Sequence, residues 1–382
     1  MKQQLKIGII SHNYPSSSTD RQNAGIFVHD FAGELIKEKQ NVFVVCPGKR
    51  DSKLKIQKVP VYWFGWGVNK KLGQLKIWHP FMIYDLILFF IKGLQRTNQI
   101  MEETKPNINL AMWAFPAGLF AYFVKKKFGI PYAIWVLGSD VYVYARFPIV
   151  GYLIKQTLRE ADYLLADGID LANKVRIISG KKCLFLPSAS QFVSKPATSI
   201  TKNKNKITLS FIGRMELVKG PDIFLDALIK IKDQINKFEI HMLGDGSLLK
   251  GLKEKAQTEG IFNFIKFYGN VNDKTKIAQV LAMSDWLIIP SRSDSIPLVF
   301  SESMKNGTPL IVASLPDLKY LVQKYHIGLN FKSESVEQLA QILATLPSKK
   351  SQRVSFTRNT KKVAELFSIE KSVRSFLQII HE

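Results

Sequence analysis

Arg214 and Lys219, with four residues between them, precede Pro221 in the segment FIGRMELVKGPDIFLDAL (211–228). An apolar run ends at Gly213, and proline suits the first position of the helix that follows. Two cations just ahead of a helix N-terminus make a favourable seat for phosphate oxygens, because free amides and the helix dipole add to their charge. On spacing alone, a pair of exposed loop cations fits equally well. A second segment, IIPSRSDSIPLVFSESMKNGTPLIVAS (288–314), carries acids. Asp294 falls in the loop after a strand, Pro297 opens a helix, Glu302 lies about one turn in, and Gly307 closes the helix. The first-turn amides of Leu298 and Val299 can cap a phosphate, and the Glu302 carboxylate can accept hydrogen bonds from a ribose diol. The plainer reading of Glu302 is an exposed helix residue. In LGDGSLLKGL (243–252), Gly244 and Gly246 separate a strand from a helix, where the missing Cβ lets a ligand approach the backbone. Two such glycines also make an ordinary turn. Without a third glycine and a downstream acid, a nicotinamide dinucleotide is disfavoured.

These loops need strands and helices to hold them. Apolar runs of five to seven residues alternate with amphipathic stretches, the pattern of βα units and parallel sheets. The first half offers strands at 5–11, 41–47, 59–65, 107–113, 132–138, 163–167 and 183–188, about seven in one sheet. The second half offers 207–213, 238–244, 265–270, 286–291, 309–314 and 328–331. Residues 194–206, SKPATSITKNKNK, lack apolar periodicity and read as a linker. The expected organisation is α/β. One Rossmann-like domain spans 1–193 and a second 207–350, facing each other across a cleft, with helices over 351–382 returning towards the first domain. Ligands of such sheets bind beyond the carboxyl ends of strands.

At 382 residues, with 46% hydrophobic and 22% charged side chains, the chain has ample material for packed interiors and is unlike a disordered one. Cys46 and Cys183 lie far apart without metal-ligand spacing and read as buried residues in strands. The opening MKQQLKIGIISHNYP is too brief an apolar stretch for a secretory signal, which predicts a cytoplasmic protein. The run 81–91 is broken by Asp85 and falls short of the roughly 20 apolar residues of a spanning helix. Fifty-four Lys and Arg against 31 Asp and Glu give a net charge of +23. No nucleic-acid-binding signature accompanies it, so nucleic acid is not expected as a partner. A solvated lysine-rich surface explains the charge; an anionic membrane surface matches it as well, with Lys125-Lys126-Lys127 and the aromatic stretch 63–81 as its candidate contacts.

Taken in order, the three loop segments resemble glycosyltransferase family 4, retaining enzymes of the two-domain fold called GT-B, over nearly the whole chain. The resemblance implies that Arg214 and Lys219 neutralise the pyrophosphate of a nucleotide diphosphate sugar. It implies that Glu302 binds the donor ribose and that Asp294 lies near the sugar hydroxyls. The family carries two glutamates with seven residues between them; Asp294 and Glu302 keep that spacing with the first acid one methylene shorter. In the N-terminal half, the loop containing Ala24-Gly25 stands where the family has two glycines near the donor phosphates. A larger departure is Leu137-Gly138-Ser139-Asp140, where many members have a histidine at the first position, in contact with the transferred sugar. Leu137 can neither donate nor accept a proton. Either the histidine is dispensable, or Asp140 takes over the contact, or activity has been lost. His12, after the first strand, is a spare catalytic candidate, whereas His29, inside a helix, reads as a packed or surface residue.

The resemblance thus implies a retaining transferase acting on a glycan or lipid-linked acceptor. Arg214 and Lys219 would do electrostatically what a metal does elsewhere, so no metal or cofactor is expected. Two alternatives stand beside it: a nucleotide-sugar isomerase such as a 2-epimerase, and a catalytically silent donor-binding partner.

Overall fold

The computed structural model describes residues 4–15, 25–66, 80–189, 191, 202–203 and 205–381, with the side chains of 80–83 outside the description. Most of the expected linker and most of the aromatic stretch 63–81 lie outside these residues. The chain divides into two compact units, Met1–Pro187 with Ser372–Glu382, and Ser188–Lys371.

Unit 1 runs through β1 (Lys6–Ile10), α1 (Ile26–Lys37), β2 (Asn41–Gly48), β3 (Ser52–Ile56), β4 (Val59–Gly65), α2 (Pro80–Thr104), β5 (Ile108–Met112) and α3 (Ala117–Phe128). It continues with β6 (Tyr132–Val136), α4 (Ser139–Tyr142), α5 (Pro148–Glu160), β7 (Tyr163–Ala166), α6 (Ile169–Ser179) and β8 (Leu184–Phe185). The eight strands are ordered β3-β4-β2-β1-β5-β6-β7-β8. All pairs are parallel except β3 with β4. That eighth strand is absent from the sequence reading because SKLKI, an edge strand, keeps its three middle residues in solvent and shows no apolar run. The central strands, buried along their lengths, do show one. Cys46 is buried within β2 as expected; Cys183 is only half-buried and lies just before β8, because that strand is two residues long.

Unit 2 comprises β9 (Ile207–Ile212), α7 (Pro221–Lys230), β10 (Phe238–Leu243), α8 (Leu249–Thr258), β11 (Ile265–Gly269), α9 (Lys274–Met283) and β12 (Trp286–Ile289). Then follow α10 (Leu298–Asn306), β13 (Leu310–Ala313), α11 (Pro316–Tyr325), β14 (Gly328–Phe331), α12 (Val336–Thr345), α13 (Lys350–Val363) and α14 (Ile369–His381), the last crossing into unit 1. Its six strands are all parallel, in the order β11-β10-β9-β12-β13-β14. Each unit is therefore a Rossmann-like sheet clad in helices, the fold class that the sequence predicts. Phe224, Phe238, Trp286 and Phe300 fill the interior of unit 2, and Trp135, Tyr132, Phe64 and Phe89 that of unit 1. Both sheets reverse direction of growth beside their first strand, between β1 and β5 and between β9 and β12. Loops leaving strands at such a switch diverge and leave a crevice.

Among the described residues no helix is long and apolar enough to cross a membrane.

Candidate active site

In unit 2 the loops that follow β9, β10 and β12 meet at the switch point. The first two are stitched by backbone bonds from Met215 N to Asp245 O (2.9 Å) and Leu248 N to Met215 O (2.9 Å). Gly244 and Gly246 make this approach feasible. Their φ angles are +140° and +157°, and a Cβ would lie 1.8 Å from Gly213 O and 2.6 Å from Met215 O respectively. Their missing side chains are thus used by a neighbouring loop. Glu216 accepts from Ser247 N (2.9 Å) and Ser247 Oγ (2.6 Å), bonds that hold its carboxyl below the usual range.

The first and third loops are joined by charge. Lys219 Nζ lies 2.6 Å from Asp294 Oδ2, which also accepts from Ser291 Oγ at 3.0 Å. The structure therefore brings together two residues 75 positions apart in the sequence. Beside them Arg292 forks onto Asp222, at 2.8 and 2.6 Å, and donates to Leu217 O at 2.7 Å. Burial raises the Asp222 carboxyl, but the bonds and charge of Arg292 outweigh it and leave the group below its ordinary pKa. Gly220, at φ +67°, passes so close to Pro290 that a Cβ would sit 2.1 Å from its carbonyl oxygen. Sequence reasoning missed Ser291, Arg292 and Asp222. Arg292 stood inside the acid-bearing segment, but nothing local in the sequence names Asp222, 70 residues away, as its partner.

Arg214 is exposed and, among the described residues, forms no salt bridge. Helix α10 begins after Pro297, whose carbonyl accepts from Phe300 N (2.8 Å). The first-turn amides of Leu298 and Val299 have no acceptor within the helix, as at any helix start. Glu302 is half-buried in its second turn, and Gly307 ends it at φ +70°. Among the described residues no group of three His, Cys, Asp or Glu side chains is gathered as a metal seat.

In unit 1, the loops after β1, β5 and β6 hold the other candidates. His12 is half-buried with its ring 4.4 Å from that of Trp113, and its Nδ1 has no partner among the described residues. Burial lowers its pKa to about 4, so the ring is neutral at pH 7. His29 is packed, bonded to Tyr14 (2.7 Å) and Gln57 (3.0 Å). Gly25 caps α1 where a Cβ would meet Asn13 O at 2.3 Å. Gly138 turns at φ +101°. Asp140 is wholly buried and accepts from Ala114 N (2.7 Å) and Val141 N (3.2 Å). Burial nevertheless pushes its carboxyl up to about 6 against these bonds. Here Asp140 binds the loops after β5 and β6 together, and a sugar would reach it only if those bonds opened. Lys125 and Lys126 are not a free basic cluster, since they pair with Asp162 (2.7 Å) and Glu160 (3.0 Å).

Residues 195–363 match the family Glycosyl transferases group 1. A putative teichuronic acid biosynthesis glycosyltransferase of Bacillus subtilis is 24% identical over 368 residues, covering 89% of this chain and 88% of that one. An uncharacterized glycosyltransferase of Methanocaldococcus jannaschii is 23% identical over 297 residues, 78% of this chain and 81% of its own. Among solved structures, the sucrose-phosphate synthase of Thermosynechococcus elongatus superposes with a TM-score of 0.78 at 14% identity, covering 99% of this chain and 98% of that one. Anabaena HepE in complex with UDP-glucose gives 0.73 at 16% identity, over 99% and 100%. Residues 195–363 thus carry the likeness to the group 1 glycosyltransferases, and the chain as a whole has the GT-B fold.

Proposed function

We propose that the chain transfers a sugar from a nucleoside diphosphate sugar to a glycan or lipid-linked acceptor, with retention at the anomeric carbon and without a metal. The observation that carries this reading is the Lys219–Asp294 pair at the switch point of unit 2, beside the exposed Arg214 and the start of α10. Leaving as a diphosphate places negative charge on oxygens that fixed cations and first-turn amides stabilise. In this reading Lys219 exchanges its bond to Asp294 for the diphosphate. Asp294, released, accepts from the sugar hydroxyls, while Glu302 accepts from the ribose diol. Unit 2 is then the donor-binding unit and unit 1 the acceptor-binding one, with Gly25, His12 and Gly138 as substrate-binding residues of unit 1 and Asp140 as a positioning residue. The UDP-glucose complex of the HepE relative supports a donor of this class.

The test is release of nucleoside diphosphate from candidate donors in the presence of EDTA. Lys219→Ala and Glu302→Ala should each lower turnover at least about 100-fold with the fold intact, since each removes a charged contact of about 2–4 kcal/mol. Normal turnover in either variant, or loss on chelation that magnesium restores, would refute the assignment. A second reading rests on Leu137. If the wild type binds UDP but releases nothing from any donor, and Leu137→His awakens activity, the natural protein is a silent donor-binding member.

A further inference from the structure

Most of the exposed large apolar side chains described in unit 1 gather at one end of its helices, with Leu54, Phe123 and Ile177 lying elsewhere. On α2, Tyr84, Ile87 and Ile91 are 63, 52 and 48% exposed and share one helix face by their spacing of three and four. Gly93 follows them, pressed so near Phe120 that a Cβ would meet its ring at 2.6 Å. Phe120 lies in the first turn of α3, so the turns of α2 before Gly93 run on past the start of α3, at the carboxyl edge of the sheet. Helix α5 starts at the same edge with Ile149 and Tyr152, 78 and 62% exposed, and Phe147 just before them. Phe115 bridges the two groups, its ring 5.4 Å from Phe90 of α2 and 6.4 Å from Tyr144 ahead of α5.

Bases outnumber acids around these side chains, with Asp85, half-buried on α2 beside Tyr84, the acid among them. From Val141 to Arg159 there is no acid and there are three bases, and of these Arg146 and Lys155 are exposed among the apolar residues; on α2 the exposed Lys92 follows Ile91. Tyrosines, branched aliphatics and long basic stems that reach past them fit the boundary between lipid tails and headgroups. A chain of net charge +23 is drawn to an extended anionic sheet before any such contact forms.

We infer that this end of unit 1, where α2 and α5 begin, docks on an anionic phospholipid bilayer. The apolar side chains enter to headgroup depth, and Arg146, Lys155 and Lys92 meet lipid phosphates. The paired Lys125 and Lys126, at the far end of α3, take no part. This does not rest on the sugar-transfer reading.

The experiment is sedimentation of the full chain at low salt with vesicles of phosphatidylcholine alone and of phosphatidylcholine mixed with phosphatidylglycerol. Ile149→Glu with Tyr152→Glu, and separately Ile87→Glu, should weaken partition to the mixed vesicles by at least about tenfold. Ile177→Glu, 77% exposed near the end of α6, should leave it unchanged. Circular dichroism checks the fold of each variant. Four results would overturn the inference: no binding by the wild type, equal binding to both vesicles, an equal loss in Ile177→Glu, or a wild-type dimer that Ile149→Glu dissolves while vesicle binding stays the same.

Discussion

Replacing Arg292 by alanine tests whether the Lys219 loop is held by the clamp beside it. The guanidinium makes two charge-assisted bonds to Asp222 and one to Leu217 O. With Arg292 22% and Asp222 30% exposed, water partly screens the pair, and the bereft carboxylate is partly rehydrated after the change. A full buried-pair figure therefore does not apply; about 2 kcal/mol for the fork and under about 1 for the carbonyl bond is the expected loss. In a unit of this size that corresponds to a Tm lower by roughly 4–10 °C. The loop carrying Lys219 would still keep the bond from Arg292 N to Val218 O, so it should loosen without unfolding. UDP affinity, measured calorimetrically, should fall about tenfold, a loss of about 1.4 kcal/mol. A double-mutant cycle with Asp222→Asn should give a coupling of about 1–2 kcal/mol. Additive single effects, or unchanged UDP affinity in Arg292→Ala, would show that the clamp does not position Lys219.

Gly244→Ala should cost more than about 3 kcal/mol in chemical denaturation, because the new Cβ would overlap Gly213 O at a φ of +140°, whereas Gly251→Ala in α8, with open space around it, should stabilise by up to about 1 kcal/mol. Burial pushes the Asp140 carboxyl up to about 6 in the fold, so its contribution is fully present below pH of about 4 and is lost as pH rises through about 6. Asp140→Asn should accordingly be more destabilising at pH 4.5 than at pH 7.5, by about 2 kcal/mol; a pH-independent difference would contradict the raised pKa.

Much of this was legible because parallel βα units write each strand as a short apolar run and each helix as a period of three to four. Most strands of both sheets and the helix start at Pro221 could be read in that way, and the start expected at Pro297 falls one residue later, at Leu298. What escaped was of two kinds. β3 hides because its side chains face solvent, and an edge strand needs hydrogen bonds more than apolar residues. The links between loops hide because strand order, not sequence distance, sets them: Arg292 meets Asp222 only since β12 lies next to β9. Gly244 and Gly246 were visible as ligand-facing glycines, but the space they spare is filled by Gly213 and Met215. Asp140 was visible as a polar residue after a strand, and its burial was not, since a fully hydrogen-bonded carboxylate leaves no pattern in its neighbours.

The return of the chain to unit 1 has a bearing on synthesis. Val373, Phe376 and Leu377 are buried in or beside that unit's core, with the Phe376 ring 5.7 Å from that of Phe31, and Ser372 Oγ donates to Pro187 O at 2.8 Å. On a ribosome, Phe31 is made early and its partner 345 residues later. At about 5–20 residues per second, the first unit waits roughly 20–70 s for the helix that covers it. Residues 188–371 can close meanwhile, because all of their own strands precede that helix. Both units are then completed within a few residues of one another, and until α14 is delivered the nascent protein carries an uncovered apolar face on unit 1, the natural target of a chaperone.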